Sequence, residues 1–168
     1  NAIDAVQMNS EPSAGFNPDA PICPSGMSTA PAITLFQDNF ENGTSKWDFN
    51  GSWKYDTQFA SSGTREMWGD DSTVYGHSSL TMKNGVSLAP GSTPYLYFKH
   101  AFAFEFANTT FFDGAILEYT KDNGATWLDA KPLFSAGQNY NGTIVTYPPG
   151  YESYGSALQG RLGFVADS

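Results

Sequence analysis

The chain is poor in the residues that most often build catalytic centres. In 168 residues it has one cysteine, Cys23, and two histidines, His77 and His100. A single cysteine excludes both a cysteine-rich zinc cluster and a disulfide within the chain. The histidines do not share a helical turn with a glutamate between them, as a zinc peptidase requires, and no serine has the glycine spacing of a nucleophile elbow. The sequence therefore predicts that this chain carries no catalytic apparatus of its own.

Basic residues are also scarce. Eight lysines and arginines stand against 17 aspartates and glutamates, which gives a formal net charge of −9. A chain of this charge repels a phosphate backbone, so we expect no nucleic-acid partner. No apolar run is long enough to cross a bilayer, so we expect no membrane span. The acidic excess fits a protein that is simply soluble, and it equally fits one that binds calcium through carboxylates and carbonyls.

The distribution of proline divides the chain into three parts. Residues 1–9 place Ile3 and Val6 on one helical face, which predicts the end of a helix from a preceding domain. Residues 10–32 contain five prolines and have the composition of an extended linker. Strand patterns begin in the third part, residues 33–168. Since neither an initiating methionine nor a signal peptide opens the chain, we expect it to be a fragment of a longer protein.

What the chain does contain favours short strands. Aromatic residues reach 15%, equal to the charged share, and 17 glycines and 10 prolines supply turns. Two strand patterns that flank Asp122-Asn123-Gly124 predict a β-hairpin. The predicted fold is all-β, a jelly roll or β-sandwich of two antiparallel sheets. Because residues 158–168 end without a closing strand, we expect the module to be completed by a missing or separate C-terminal segment.

A long polar and aromatic loop, residues 138–155, is the best candidate for ligand binding. Loops of this length are uncommon unless they are functional. We interpret Tyr140, Tyr147, Tyr151 and Tyr154 as its ligand-binding side chains, while an insertion without a ligand explains the pattern equally well. Trp127 and His100 are expected to be packed in the core rather than to bind or catalyse.

Acidic residues at strand ends are candidate calcium ligands. Calcium takes six to eight oxygen ligands from carboxylates, amides and carbonyls of irregular segments. Asp38 and Glu41 supply such oxygens after the first strand pattern of the third part, and Asp70 and Asp71 follow a glycine. We predict a structural calcium ion at these four residues. The alternative is that they are ordinary turn and capping residues.

Several segments together resemble a known family. Residues 113–130, Asp-Gly-Ala-Ile-Leu-Glu-Tyr-Thr-Lys-Asp-Asn-Gly-Ala-Thr-Trp-Leu-Asp-Ala, resemble the signature hairpin of MAM-like jelly-roll modules that follow secreted bacterial peptidases. Residues 36–42 are similar to the opening strand of that module, and residues 64–71 to its Trp-Gly-Asp loop. Residues 1–9 are similar to the last helix of thermolysin-like zinc metallopeptidases.

The resemblance implies a role as well as a fold. It identifies the chain as a non-catalytic, secreted accessory module that helps a zinc metallopeptidase to recognise substrate or to stay folded. It implies a disulfide from Cys23 to a segment outside this chain, and it places a structural calcium where the opening strand meets the closing one. The implied partners are an extracellular protein or glycan, a missing C-terminal fragment and a neighbouring peptidase domain. The alternative is a carbohydrate-binding or adhesive module of an extracellular surface protein or assembly.

Overall fold

The computed structural model describes residues 2–9, 33–70 and 75–168. Within these ranges the chain forms thirteen strands and two single-turn 3-10 helices, and every pairing between the strands is antiparallel. The all-β prediction is therefore confirmed, whereas the arrangement as a two-sheet jelly roll stays a prediction. The predicted linker, residues 10–32 with Cys23, lies outside the described residues.

Five strands form the main sheet, and eight form two-stranded ribbons. The strands of the main sheet are β1 (Ala2–Asn9), β2 (Thr34–Asp38), β4 (Trp53–Asp56), β5 (Glu66–Gly69) and β7 (Tyr95–Ala101). The ribbons pair β3 (Trp47–Phe49) with β6 (Leu80–Met82), β8 (Phe106–Ala107) with β9 (Thr110–Phe111), β10 (Glu118–Tyr119) with β11 (Leu128–Asp129), and β12 (Gly142–Thr143) with β13 (Leu162–Gly163). The 3-10 helices are Lys131–Leu133 and Glu152–Tyr154.

The first strand, β1, corrects the prediction of a helix end at residues 1–9. It pairs with β7 from Ala2 opposite Ala101 to Asn9 opposite Tyr95. Its other edge is shared by β5 at the start and β2 at the end. Eight residues are too few for a stable isolated helix, whereas neighbours on both edges satisfy the backbone of a central strand. The helical spacing of apolar residues was misleading because this strand takes its partners from distant parts of the chain.

The predicted Trp-Gly-Asp loop also differs in the structure, since its centre is strand β5. This strand pairs with β4 in register from Asp56 opposite Glu66 to Trp53 opposite Gly69. Met67 is completely buried on one face. Glu66 and Gly69 are buried as well and Trp68 is only partly exposed, so both faces of this strand are covered.

The hydrophobic core has two parts. The first surrounds the buried side chains Phe40, Trp47 and Met67, and the second surrounds Phe102, Tyr140 and Phe164. His100 lies between the two parts, with its ring centroid 5.1 Å from that of Phe98, 5.2 Å from Phe102 and 4.6 Å from Phe164. Phe98 packs against the first part. This position confirms the expectation that His100 is a packed residue.

The hairpin predicted around Asn123 is present, with a longer loop than a two-residue turn. Strands β10 and β11 pair Glu118 with Asp129 and Tyr119 with Leu128, and residues 120–127 connect them. Trp127, expected in the core, is 45% exposed, because the loop closes on its own polar groups at Asp122. No helix in the described ranges is long and apolar enough to span a membrane.

Candidate ligand-binding surface

The loop after β12 is built from two consecutive turns. Pro149 and Gly150 occupy the centre of the first turn, which the Tyr151 N–H closes by donating to the Pro148 carbonyl at 3.0 Å. Gly150 has a φ of +91°, a value that strongly favours glycine, and Pro before Gly is the usual composition of such a turn. The Glu152 carboxylate accepts the Gly150 N–H at 2.8 Å, which fixes the turn to the next residues.

The second turn is the 3-10 helix Glu152–Tyr154, and the side chain of Gln159 ties it to the rest of the loop. The Tyr154 N–H donates to the Tyr151 carbonyl at 3.0 Å. The Gln159 amide accepts the Tyr147 N–H and donates to the Glu152 carbonyl, both at 2.8 Å. Because backbone at both ends of the loop is bonded to one side chain, the loop has a defined internal geometry.

Tyr151 and Tyr154 project from these turns and form the Tyr151–Tyr154 surface. Their side chains are 58% and 73% exposed, and the two rings lie 5.9 Å apart at an interplanar angle of 34°. Tyr147 lies beneath the second turn, half-buried, where a Cβ at Gly155 would come within 2.6 Å of its ring. The structure therefore places these three predicted tyrosines in one loop.

Tyr140, the fourth predicted tyrosine, belongs to the core instead. Its ring packs edge-on against Phe134 and Phe164. Its hydroxyl lies 2.7 Å from the Leu117 N–H and 3.2 Å from the Leu117 carbonyl, so it accepts from one and donates to the other. Burial, the largest effect, raises the pKa of Tyr140 to about 12. Sequence alone does not distinguish Tyr140 from the other three tyrosines, because all four have similar polar neighbours.

Two of the predicted calcium ligands serve the chain's own donors. Asp38 is buried and accepts hydrogen bonds from the Phe40 N–H and the Trp47 indole N–H, each at 3.0 Å. Glu41 accepts the N–H groups of Thr64 and Arg65 at 2.7 and 2.8 Å. The backbone bond from Thr64, followed by the bond from its hydroxyl, holds the pKa of Glu41 below its usual value. Both carboxylates thus fix loops to the sheet.

The other two predicted ligands are Asp70, which pairs with a lysine, and Asp71. The Asp70 carboxylate lies 3.3 Å from the Lys54 ammonium, and Asp71 is outside the described residues. In the part of the chain that the structure describes, no three His, Cys, Asp or Glu side chains form a group that could hold a metal ion. The calcium site at Asp38, Glu41, Asp70 and Asp71 stays a prediction.

A cluster of charges that sequence analysis missed joins the predicted hairpin to strand β13. The Arg161 guanidinium donates to Glu118 at 2.8 Å and to Asp129 at 3.0 Å, and all three side chains are about one-third exposed. Glu118 and Asp129 are directly opposite each other on β10 and β11. Without Arg161 these adjacent carboxylates would repel each other. The sequence could not reveal this triad because its members are far apart along the chain.

Glu66 is a second charged side chain whose position was not predicted. It is completely buried, and its Oε1 accepts the N–H groups of Gln58 and Phe59 at 2.9 and 2.7 Å. Its Oε2 has no hydrogen-bond partner among the described residues. Glu66 therefore shapes the turn between β4 and β5, since it satisfies two backbone donors of that turn.

Comparison with protein-family models, with curated proteins and with solved structures finds no match to this chain. The resemblance to MAM-like modules and to thermolysin-like peptidases therefore stays a prediction that depends on the sequence motifs alone.

Proposed function

We propose that this chain is a non-catalytic binding module of an extracellular protein, and that the Tyr151–Tyr154 surface contacts a carbohydrate. The observation that carries the proposal is the pair of adjacent, exposed tyrosine rings on a loop with fixed geometry. Adjacent exposed aromatic rings are more typical of binding surfaces than of surfaces that contact only solvent.

The chemistry of the surface fits a sugar. A pyranose ring has an apolar C–H face that stacks on an aromatic ring, and its hydroxyl groups need donors and acceptors nearby. Tyrosine supplies a flat apolar ring and a phenol hydroxyl that both donates and accepts. Tyrosine also loses little conformational entropy on binding because it has only two side-chain torsions. The hydrogen bonds of Gln159 lower the entropic cost of binding further, because they fix the loop before a ligand binds.

The charge of the chain narrows the class of carbohydrate. A net charge of −9 disfavours sulfated or uronic-acid polymers for the same reason that it disfavours nucleic acid. We therefore propose a neutral glycan.

A second candidate function is the accessory module of a secreted metallopeptidase. The hairpin formed by β10 and β11 supports it, because it lies where the MAM-like signature was recognised. The strand at residues 2–9 weakens it, because the similarity of this segment to a peptidase helix was its other support. In that case the Tyr151–Tyr154 surface would recognise a protein substrate, in a jelly-roll module completed by another segment.

The double substitution Tyr151→Ala and Tyr154→Ala tests both candidates. We expect the wild-type chain to bind neutral glycans on an array, and the variant to bind about tenfold or more weakly, since each lost ring contact is worth roughly 0.5–1.5 kcal/mol. Tyr75→Ala, which removes another exposed tyrosine (51% exposed), is the matched control and should bind normally.

Titration against casein and collagen separates the candidates. Tyrosine-dependent binding to these proteins with no glycan binding would favour the peptidase accessory module. Glycan binding that survives the double substitution would contradict the proposed surface.

A further inference from the structure

The chain contains the dipeptide Asn-Gly five times, and each copy has the chemistry for spontaneous deamidation. Glycine has no Cβ to shield its backbone nitrogen, which can attack the Cγ of the preceding asparagine side chain. The copies are Asn42-Gly43, Asn50-Gly51, Asn84-Gly85, Asn123-Gly124 and Asn141-Gly142. Because the five local sequences are chemically alike, the fold decides which of them react.

In two copies the asparagine side chain is held. Asn141 accepts the Val165 N–H through Oδ1 and donates to the Val165 carbonyl through Nδ2, both at 2.8 Å. Asn50 accepts the Ser79 N–H through Oδ1 at 2.9 Å. These bonds restrict the rotation that would bring Cγ to the next nitrogen.

In two other copies the attacking nitrogen is held. The Gly124 N–H donates to the Thr120 hydroxyl at 2.8 Å, within the hairpin loop. The Gly43 N–H donates to the Phe40 carbonyl at 3.1 Å, which closes a turn. Attack requires this N–H to leave its acceptor, so each bond adds to the barrier.

The remaining copy, Asn84-Gly85, has neither restraint. Both residues are exposed, and among the described residues neither forms a hydrogen bond. The space around Gly85 is open, with no atom within 4 Å of the position that a Cβ would take. The two residues line a cleft of about 430 Å³ that Lys46 also lines.

We propose that Asn84 is the principal deamidation site of the folded chain. The Gly85 nitrogen forms a bond to Asn84 Cγ, the Cγ–Nδ2 bond breaks, and the Gly85 proton leaves with the amide group as ammonia. Water then adds to either carbonyl of the resulting succinimide and opens the ring to aspartate or isoaspartate. Water is the only reactant, and no oxidant is required. The product adds one negative charge to the chain, in the cleft that Lys46 also lines.

Peptide mapping by mass spectrometry tests the proposal on the full chain. The folded protein is incubated in mildly alkaline buffer made with ¹⁸O water, which labels each newly opened ring, and the label is followed at all five asparagines. We expect Asn84 to acquire label severalfold faster than each of the other four. In concentrated urea the five rates should converge, because the restraints are lost. Equal rates in the folded chain, or a faster rate at any other copy, would overturn the proposal.

Two variants distinguish the proposed cause from a local sequence effect. Gly85→Ala fits the open space, so it should leave the melting temperature unchanged and slow labelling at Asn84 severalfold. Thr120→Val removes the acceptor that holds the Gly124 N–H, so it should raise labelling at Asn123 and leave Asn84 unchanged. Labelling of Asn84 at an undiminished rate in Gly85→Ala would show that Gly85 is not the nucleophile.

Discussion

At the scale of single residues, the hairpin loop shows how one exposed carboxylate organises a turn. Asp122 Oδ1 accepts the Thr126 N–H at 2.8 Å and the Thr120 hydroxyl at 2.7 Å. The Thr126 hydroxyl, which donates to Oδ2, has the largest effect, and together these bonds lower the pKa of Asp122 from 3.8 to about 2. The pattern Thr-x-Asp-x-x-x-Thr thus explains why the loop closes on itself and leaves Trp127 exposed.

This carboxylate predicts a specific loss of stability in acid. The folded pKa of Asp122 lies below its unfolded value, so its contribution is complete above pH 3.8 and is lost as the pH falls from there through about 2. We expect Asp122→Asn to flatten the fall of the urea midpoint over this range. Asp48→Asn, at an exposed ion-paired carboxylate, is the control and should keep the wild-type slope. An unchanged slope in Asp122→Asn would contradict the assignment.

At the scale of elements, the ribbon of β10 and β11 depends on a residue outside itself. Each of these strands has only two residues, too few for an isolated hairpin to be stable in water. Arg161 holds both strands through Glu118 and Asp129. The planar guanidinium can bond two carboxylates at once, which lysine does with less defined geometry.

Arg161 therefore has a measurable effect on stability. We expect Arg161→Met to lower the free energy of unfolding by about 1–2 kcal/mol, because it removes two charge-assisted bonds and leaves two adjacent carboxylates unpaired. Arg161→Lys should recover part of the loss. Urea unfolding measures both. Lys83→Met, at the 3.7 Å surface pair with Asp48, is expected to change stability by no more than about 0.5 kcal/mol. A loss in Lys83→Met as large as in Arg161→Met would contradict a special role for the triad.

The elements that could be predicted from sequence are those set by neighbouring residues. Asn123-Gly124 specifies a turn through two residues with positive φ, +56° and +88°, and the hairpin was predicted correctly around it. Strand β1 could not be predicted in this way, because β2, β5 and β7 provide its hydrogen bonds. The Tyr151–Tyr154 surface was predicted as a loop of tyrosines. The burial of Tyr140 depends on Phe134 and Phe164, which no local pattern connects to it.

At the scale of the whole molecule, His100 contacts both parts of the core. It touches Phe98 on one side and Phe102 and Phe164 on the other. Burial lowers the pKa of His100 below 6.5. Protonation at this position would place a charge among these three aromatic rings, so we expect acid to weaken the packing between the two parts of the core.

The sign of this pKa shift defines the expected pH dependence. Because the folded pKa lies below the unfolded value, stability is complete above pH 6.5 and falls as the pH drops through the lower folded value. We expect His100→Phe, which keeps a ring at the junction, to remove this fall in melting temperature as the pH drops below 6.5. His77→Gln, at an exposed position, should retain it. If the melting temperature of His100→Phe decreases with pH as much as that of the wild type, His100 is excluded as the origin of the decrease.

The central position of β1 sets the order in which the sheet can assemble. This strand precedes its partners in the chain, and Ala2 pairs with Ala101, which a ribosome adds only much later. Pairs this distant in sequence close large loops and slow the folding of a domain. During synthesis β2 and β5 emerge before β7, so the edge of β1 that they share can pair early, while the edge that β7 covers stays unpaired longest. We therefore expect the rate-limiting step of folding to be the pairing of β7 with the remaining edge of β1.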